Sequence, residues 1–187
     1  VKLISYSQAH SMKMIVSPAP EDTSLQDLVA YCARVSNPAN QNNPETALGL
    51  IRYLIKHKHW SPLEMVSACL EIETTRDIAR QILRHRSFSF QEFSQRYANP
   101  TKDLKFVTRE ARLQDDKNRQ NSVEVDDPKL QEEWNTLQEM LIEDARSAYN
   151  WAISKGIAKE QARAVLPEGL TMSRMYMNGT LRSWVHY

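Results

Sequence analysis

Glycine is scarce in this chain. Only Gly49, Gly156, Gly169 and Gly179 occur, and no two are close enough for a G-x-G-x-x-G turn or a Walker phosphate loop. A nucleotide bound here is therefore held without a glycine-rich loop of either kind, and side chains carry much of the phosphate charge. Cysteine is scarcer still. Cys32 and Cys69 stand far apart with no C-x-x-C, which excludes a secreted disulfide framework and a zinc ribbon and suits a reducing compartment. Both read as core filler. No apolar run approaches the roughly 18 residues of a membrane span, and the opening VKLISYSQAH has no long apolar core. The expectation is a cytoplasmic protein (the host's cytoplasm if the source is viral) with no membrane partner. A large charge excess is missing too. Lys plus Arg is 24 against 23 for Asp plus Glu, a formal charge of +1. That argues against a protein that coats nucleic acid, so any anion site is local.

What is present suits one globular domain. The 187 residues are 41% hydrophobic and 25% charged, enough for a sizeable core, at about 150 residues per domain. Leu3, Ile4 and Tyr6 suggest a strand, continued by Met14 to Val16 until Pro18 and Pro20 break the chain. Residues 22–36 read as a helix capped by Asp22 or Thr23, with Leu25, Leu28, Val29, Cys32 and Val35 on one face. A second helix starts at Pro44 behind Asn43, carries Ala47, Leu48, Ile51, Leu54 and Ile55, and ends in the basic run Lys56 to His59. Val66, Ala68, Leu70 and Ile72 alternate as a strand over 65–73. Thr74 or Thr75 caps a helix over 76–86, and 87–98 is extended or looped. Residues 114–128 are almost wholly polar and read as a mobile surface loop. Pro128 opens the longest helix, to about Lys155, with a stripe of Leu130, Trp134, Leu137, Leu141, Ala145, Ala148 and Ala152, and Gly156 at its C-terminal cap. Trp134 and Leu137 read as core or subunit interface, and Trp151, off the stripe, as a helix contact between subunits. A short helix covers 158–165, and a last helix ends in TLRSWVHY. The class is α+β, helix-rich with a small sheet.

Charge concentrates at 76–96, where Arg76, Arg80, Arg84, Arg86 and Arg96 face only Asp77 and Glu92. Arg76, Arg80 and Arg84 at spacing four share one face of the expected helix. Carboxylate pairing or solvent accounts for a generic basic face. Here the helix runs on into Phe88, Phe90, Phe93 and Tyr97, with Gln81, Glu92 and Ser94 nearby. Those are hydrogen-bonding partners for a base and a phosphate, and Arg grips phosphate bidentately. His57-x-His59 has no Cys or acid at ligand spacing, so no metal site is expected.

The run RHRSFSFQEFSQRY contains Arg84-His85-Arg86, seven residues, then Ser94. It resembles the R-H-R-x7-S signature of the flavin-dependent thymidylate synthases (ThyX), with Gln91 where that family usually has Asn. HWSPLE at 59–64, ARAVLP at 162–167 and MNGTLRSWVHY at the C-terminus are similar to further segments of the family. The last is like the family's helix before its C-terminal nucleotide-binding arginine. The resemblance covers most of 25–187.

The resemblance implies reductive methylation of dUMP to dTMP. Methylenetetrahydrofolate would supply the carbon, FAD the hydride and NADPH the reducing power, in an α+β homotetramer whose sites combine several subunits. By position, His59, Ser61, Arg84, His85, Arg86 and Glu92 would touch FAD, with Arg182 and His186 as further flavin candidates. Gln81, Arg84, Glu92, Phe93, Ser94, Gln95, Arg96 and Arg163 would hold dUMP. Arg84 and Ser94 are the catalytic candidates, Ser94 favoured as a binding hydroxyl rather than a nucleophile. The family usually continues past the position of Tyr187 to an Arg that assists ionisation of the pyrimidine, so without that segment nucleotide binding with impaired turnover is expected. The alternative from another class is a single-stranded nucleic-acid binder, with arginines on a backbone and aromatics stacking bases. The near-zero charge and the lack of an RNP-like pattern stand against it.

Overall fold

The computed structural model describes residues 1–8 and 24–187. The expected strand at Met14 to Val16, its breakers Pro18 and Pro20, and the caps Asp22 and Thr23 lie outside the described residues. In chain order the elements are β1 (Lys2–Tyr6), α1 (Leu25–Ala33), α2 (Ala47–Lys56), β2 (Ser67–Thr75), α3 (Arg76–Ile82), β3 (Ser89–Glu92) and α4 (Pro100–Asp103), then β4 (Arg112–Gln114), β5 (Ser122–Glu124), α5 (Pro128–Ser154), α6 (Lys159–Ala162), β6 (Met172–Thr180) and α7 (Leu181–Val185). The main sheet has the order β1-β2-β6-β3. β1 pairs antiparallel with β2, Leu3 opposite Leu70, and the register slips between Leu3 and Ser5. The α+β class holds, with a four-stranded sheet among many helices.

Two compact units share the chain: Val1–Ile72 with His85–Gln91 and Met175–Tyr187, and Glu73–Arg84 with Glu92–Arg174. In the first, Val29, Leu63 and Val66 form the core, and Leu25, Leu28, Ile51, Trp60 and Leu181 pack on them. Ser24 caps α1 in a reciprocal box with Asp27. α2 begins at Ala47 behind Thr46, not at Pro44. Val35 lies past α1 and is exposed, and Leu48 and Ile55 are exposed on α2, so the sequence stripe is wider than the buried one. In β2 the expected alternation is absent. Ser67 to Ile72 are all half-buried, because both faces are partly covered. Neither cysteine is deep core: Cys32 and Cys69 are free and half-buried, and burial pushes the Cys32 thiol up.

In the second unit, Tyr149, Ala152, Ala162 and Leu166 make the core, with Phe106 and Ile153 packed on it. α5 starts at Pro128 behind an Asp127 cap, and Gly156 takes the left-handed φ of 77° just past its end. Its buried face is Gln138, Ile142, Ala145, Tyr149 and Ala152, which keeps Ala145 and Ala152 of the expected stripe and replaces the rest. Trp134, Leu137, Leu141 and Trp151 are exposed on the single chain, so Trp134 and Leu137 are not core. Gln138 explains the shift. Its amide accepts from Arg109 N–H at 2.9 Å and donates to Arg109 C=O at 2.9 Å, satisfying a passing segment as a strand would. The polar 114–128 segment is not a structureless loop. β4 and β5 pair antiparallel, and Asp115 closes the turn by accepting from Lys117 N–H, Asn118 N–H and Asn121 Nδ2.

The closing helix expected in TLRSWVHY is present as α7, but the segment leading into it, Met172–Thr180, is a strand. β6 buries Ser173, Met175, Met177 and Gly179 and exposes the residues between them, which is strict period two. α7 covers only Leu181–Val185, with Thr180 Oγ1 accepting from Ser183 N–H.

Candidate active site

α3 is shorter than expected, and that decides the fate of the arginines. It ends at Ile82, after which Leu83 N–H bonds Ala79 C=O at 2.9 Å and Arg84 N–H bonds Gln81 C=O at 3.2 Å. Arg84, His85 and Arg86 therefore lie in the turn before β3, all exposed. The three-arginine helical face is corrected accordingly. Arg76 is buried; its Nε donates to Glu168 Oε1 at 3.1 Å, and Nη1 stands 3.6 Å from Glu92 Oε1. Arg80 Nε donates to the other Glu168 oxygen at 2.6 Å. The Arg80 hydrogen bond holds the Glu168 carboxyl below the usual carboxylate range against a smaller opposing push from burial, with Arg76 assisting. These two arginines serve structure. Arg84 and Arg86 make no side-chain hydrogen bond or ion pair among the described residues, so their charge is available to a ligand.

In the first unit α7 borders a cleft of about 530 Å³ lined by Glu64, Ser87, Arg182, Ser183 and His186. That volume lies in the usual range of small-molecule sites. Arg182 Nη1 donates to Glu64 Oε1 at 2.6 Å, and Thr180 Oγ1 donates to Glu64 Oε2 at 2.9 Å. These two bonds hold the Glu64 carboxyl below its ordinary range. Ser183 Oγ donates to Ser87 C=O at 3.0 Å, tying α7 to the R-H-R turn. His186 Nδ1 meets Arg182 C=O at 2.8 Å. A carbonyl only accepts, so that nitrogen carries hydrogen and Nε2 is left as the acceptor of the neutral ring. Trp60 stands edge-on to His186 at 4.5 Å, and Tyr187 lies 4.7 Å from His85. The structure thus brings Arg182 and His186 together and reaches the R-H-R turn through Ser87. His59 and Ser61 are exposed and do not line this cleft; His59 stands edge-on to Tyr53 at 6.2 Å. Guanidinium donors suit the phosphates of a cofactor such as FAD, and an imidazole acceptor with aromatic edges suits its ring N–H groups and flat faces.

In the second unit Arg96 and Arg163 both reach Glu160 of α6, Arg163 from the C-cap of that helix. Arg96 Nη2 is 3.3 Å from Glu160 Oε2, and Arg163 Nε donates to Glu160 C=O at 3.2 Å. Lys159 Nζ donates to Tyr97 C=O at 2.7 Å. Ser94 Oγ accepts from Arg96 N–H at 3.3 Å, and no imidazole or carboxylate bonds it among the described residues. Glu92 turns the other way. Its Oε1 accepts from Ser173 Oγ at 2.8 Å and faces Arg76. Phe93 N–H bonds Arg174 C=O at 2.8 Å. Gln81 is exposed beyond the ion pairs of α3. Gln95 is buried, with its amide nitrogen unpartnered among the described residues. An orphan donor of that kind is uncommon, and it sits within the run assigned to the nucleotide. Among the described residues no cluster of three metal-ligating side chains occurs, and no helix is long and apolar enough to cross a membrane.

Sequence reasoning missed Glu64 and Glu160. Glu64 was visible as the last residue of HWSPLE. Glu160 carried no signal, since it meets Arg96 only through the fold. The aromatic run is also not a stacking platform. Phe88, Phe90 and Phe93 are half-buried, Phe88 4.7 Å from Trp184, and only Tyr97 is exposed.

The family profile described as "Thymidylate synthase complementing protein" matches residues 21–187. A protein of Paramecium bursaria Chlorella virus 1 named "Probable flavin-dependent thymidylate synthase" is 52% identical over 162 residues, covering 87% of this chain and 74% of that protein. A flavin-dependent thymidylate synthase of Synechocystis is 51% identical over 167 residues, covering 89% and 75%. Among solved structures, a UMP/dUMP methylase, PolB, from Streptomyces cacaoi bound with 5-Br dUMP superposes with a TM-score of 0.77 at 25% identity, over 99% of this chain and 74% of that one. A signature run placed in an exposed turn, a profile spanning nearly the whole chain and relatives half-identical in sequence agree: the chain belongs to the flavin-dependent thymidylate synthase family, ThyX.

Proposed function

We propose that this protein methylates dUMP to dTMP with methylenetetrahydrofolate as carbon donor, FAD as hydride carrier and NADPH as reductant, as a homotetramer whose sites draw on several subunits. The observation that carries the reading is the division among the arginines. Arg76 and Arg80 are consumed by Glu168, while Arg84 and Arg86, the two of the R-H-R triplet, stand exposed and unpaired among the described residues. Flavin, when bound, supplies the hydride chemistry. His85, Arg86, Arg182 and His186 would hold it, with His59, Ser61, Arg84 and Glu92 as further contacts. Gln81, Arg84, Glu92, Phe93, Ser94, Gln95, Arg96 and Arg163 would hold dUMP.

The reactive carbon of dUMP is a weak nucleophile, and it gains reactivity when N3 of the ring loses its proton. A guanidinium beside the ring stabilises that anion and never gives up its own proton. Arg84 has no carboxylate partner among the described residues, which leaves its charge free for this work. Ser94 is a binding hydroxyl in this reading. A serine nucleophile needs a base within hydrogen-bond reach, and among the described residues the hydrogen bond to Ser94 Oγ comes from a backbone N–H.

The test is the visible absorption spectrum of the purified chain, with the cofactor released by heat identified. Bound FAD and selective uptake of dUMP are expected. A colourless protein that takes up no added FAD and binds long single strands with steep salt dependence would overturn the reading in favour of a polynucleotide binder.

A further inference from the structure

Gly179 lies under an aromatic ring. A Cβ at this position would stand 2.4 Å from Phe88 Cδ1 and 2.5 Å from Cε1, inside any real contact. The glycine is not demanded by its backbone, since among the described glycines only Gly156 has a positive φ. It is demanded by space. Gly179 is the last inward-facing residue of β6, after Met175 and Met177, both fully buried. Where those methionines fill the interior, Gly179 leaves a gap, and Phe88 occupies it.

Phe88 is fixed from other sides as well. Trp184 meets it edge-on at 4.7 Å and Tyr187 at 5.7 Å, and Trp184 is itself anchored by Nε1 donating to Ala68 C=O at 3.2 Å. Phe88 N–H bonds His85 C=O at 3.3 Å, closing the turn that carries His85 and Arg86. Among the described residues that turn is otherwise held by Ser183 on Ser87 C=O and by the ring contact of His85 with Tyr187.

We propose that Gly179 is a positioning residue for flavin binding. Its missing side chain lets Phe88 seat on β6, and the seated ring sets the height of the His85–Ser87 turn. This rests on the flavin reading of that turn. Pre-placing such a turn lowers the ordering cost of binding, and a ring pushed outward by a methyl group would move His85 and Arg86 with it.

The experiment is a double-mutant cycle on the full chain with Gly179→Ala, Phe88→Ala and the pair. Flavin affinity is read by absorbance titration, and the rate of trypsin cleavage after Arg86 gives a flavin-free readout of the turn. Gly179→Ala is expected to weaken flavin binding at least about tenfold and to change the cleavage rate. Phe88→Ala alone should cost less, and adding Gly179→Ala to it should cost nothing more. If Gly179→Ala fails to fold, a folded double variant that behaves like Phe88→Ala supports the proposal, because removing the ring has removed the collision. Additive losses, an unfolded double variant, or a Gly179→Ala protein with normal affinity and cleavage overturn it. A wild-type chain that takes up no flavin overturns the flavin reading and this proposal together, so the two failures are told apart by the wild-type titration.

Discussion

Arg76 and Arg84 are the same side chain two helical turns apart in sequence, and their surroundings give them opposite uses. Burial forces Arg76 to find carboxylates, since an unpaired interior charge is costly, and Glu92 and Glu168 satisfy it. Arg84 is exposed with no partner among the described residues, so removing it leaves none of them unsatisfied. Arg84→Ala is therefore expected to leave thermal stability within about 0.5 kcal/mol. It should weaken both flavin and dUMP binding by at least about tenfold, the worth of one charge-assisted hydrogen bond. Titration of each ligand against a melting curve separates the two effects, and normal binding of both would sink the site assignment. Ser94→Ala removes a neutral hydrogen bond of about 0.5–1.5 kcal/mol, so dUMP binding should weaken about two- to twelvefold while some turnover persists. Complete loss of turnover with intact dUMP binding would mark Ser94 as a nucleophile instead.

Elements show where the sequence could be read and where it misled. The R-H-R run, the α+β class and α5 from Pro128 were legible, because fixed motif spacing, a Pro at the helix start and Gly156 at its end are local signals. The facing of α5 was not, since its inward stripe includes Gln138, whose partner Arg109 lies in a distant segment. β6 was hidden because two of its inward residues are Ser173 and Gly179, which no hydrophobicity pattern counts as core. α3 was overextended because arginine spacing continues past Ile82 although the helix does not. Its anchor can be checked by pH. The Glu168 carboxyl lies below the usual range in the folded chain, so the unfolded chain takes up its proton at the higher pH. The pairing therefore contributes stability above about pH 4.3 and loses it as pH falls through the lower folded value. Glu168 is half-exposed, and the contact is screened. Glu168→Gln should cost about 1 kcal/mol at neutral pH, with the gap closing in acid. Melting curves of both proteins across that range test it, and a gap that is constant with pH would refute the ionic anchor.

At the scale of the whole molecule, α5 poses a question of solvent. Its inner face is filled by Ile142, Ala145, Tyr149 and Ala152, yet Trp134, Leu137, Met140 and Leu141 are also on show, Leu137 at 60% and Met140 at 61% exposure. These side chains recur every three or four residues, so they form a continuous second stripe rather than the single apolar residues common on protein surfaces. A helix apolar on two faces is at home between two layers, and the proposed homotetramer supplies the second. Two acidic residues in such a seam must either be desolvated without partners or keep the subunits apart. Leu137→Glu with Leu141→Glu should therefore leave the fold of the chain intact, because neither side chain is in its core. Sedimentation should then show a species smaller than the wild-type assembly, with flavin affinity falling alongside if the site draws on more than one subunit. A variant that sediments as the wild type would assign the stripe to another purpose. A wild type that is already monomeric would remove the tetramer from the proposal and leave the stripe exposed.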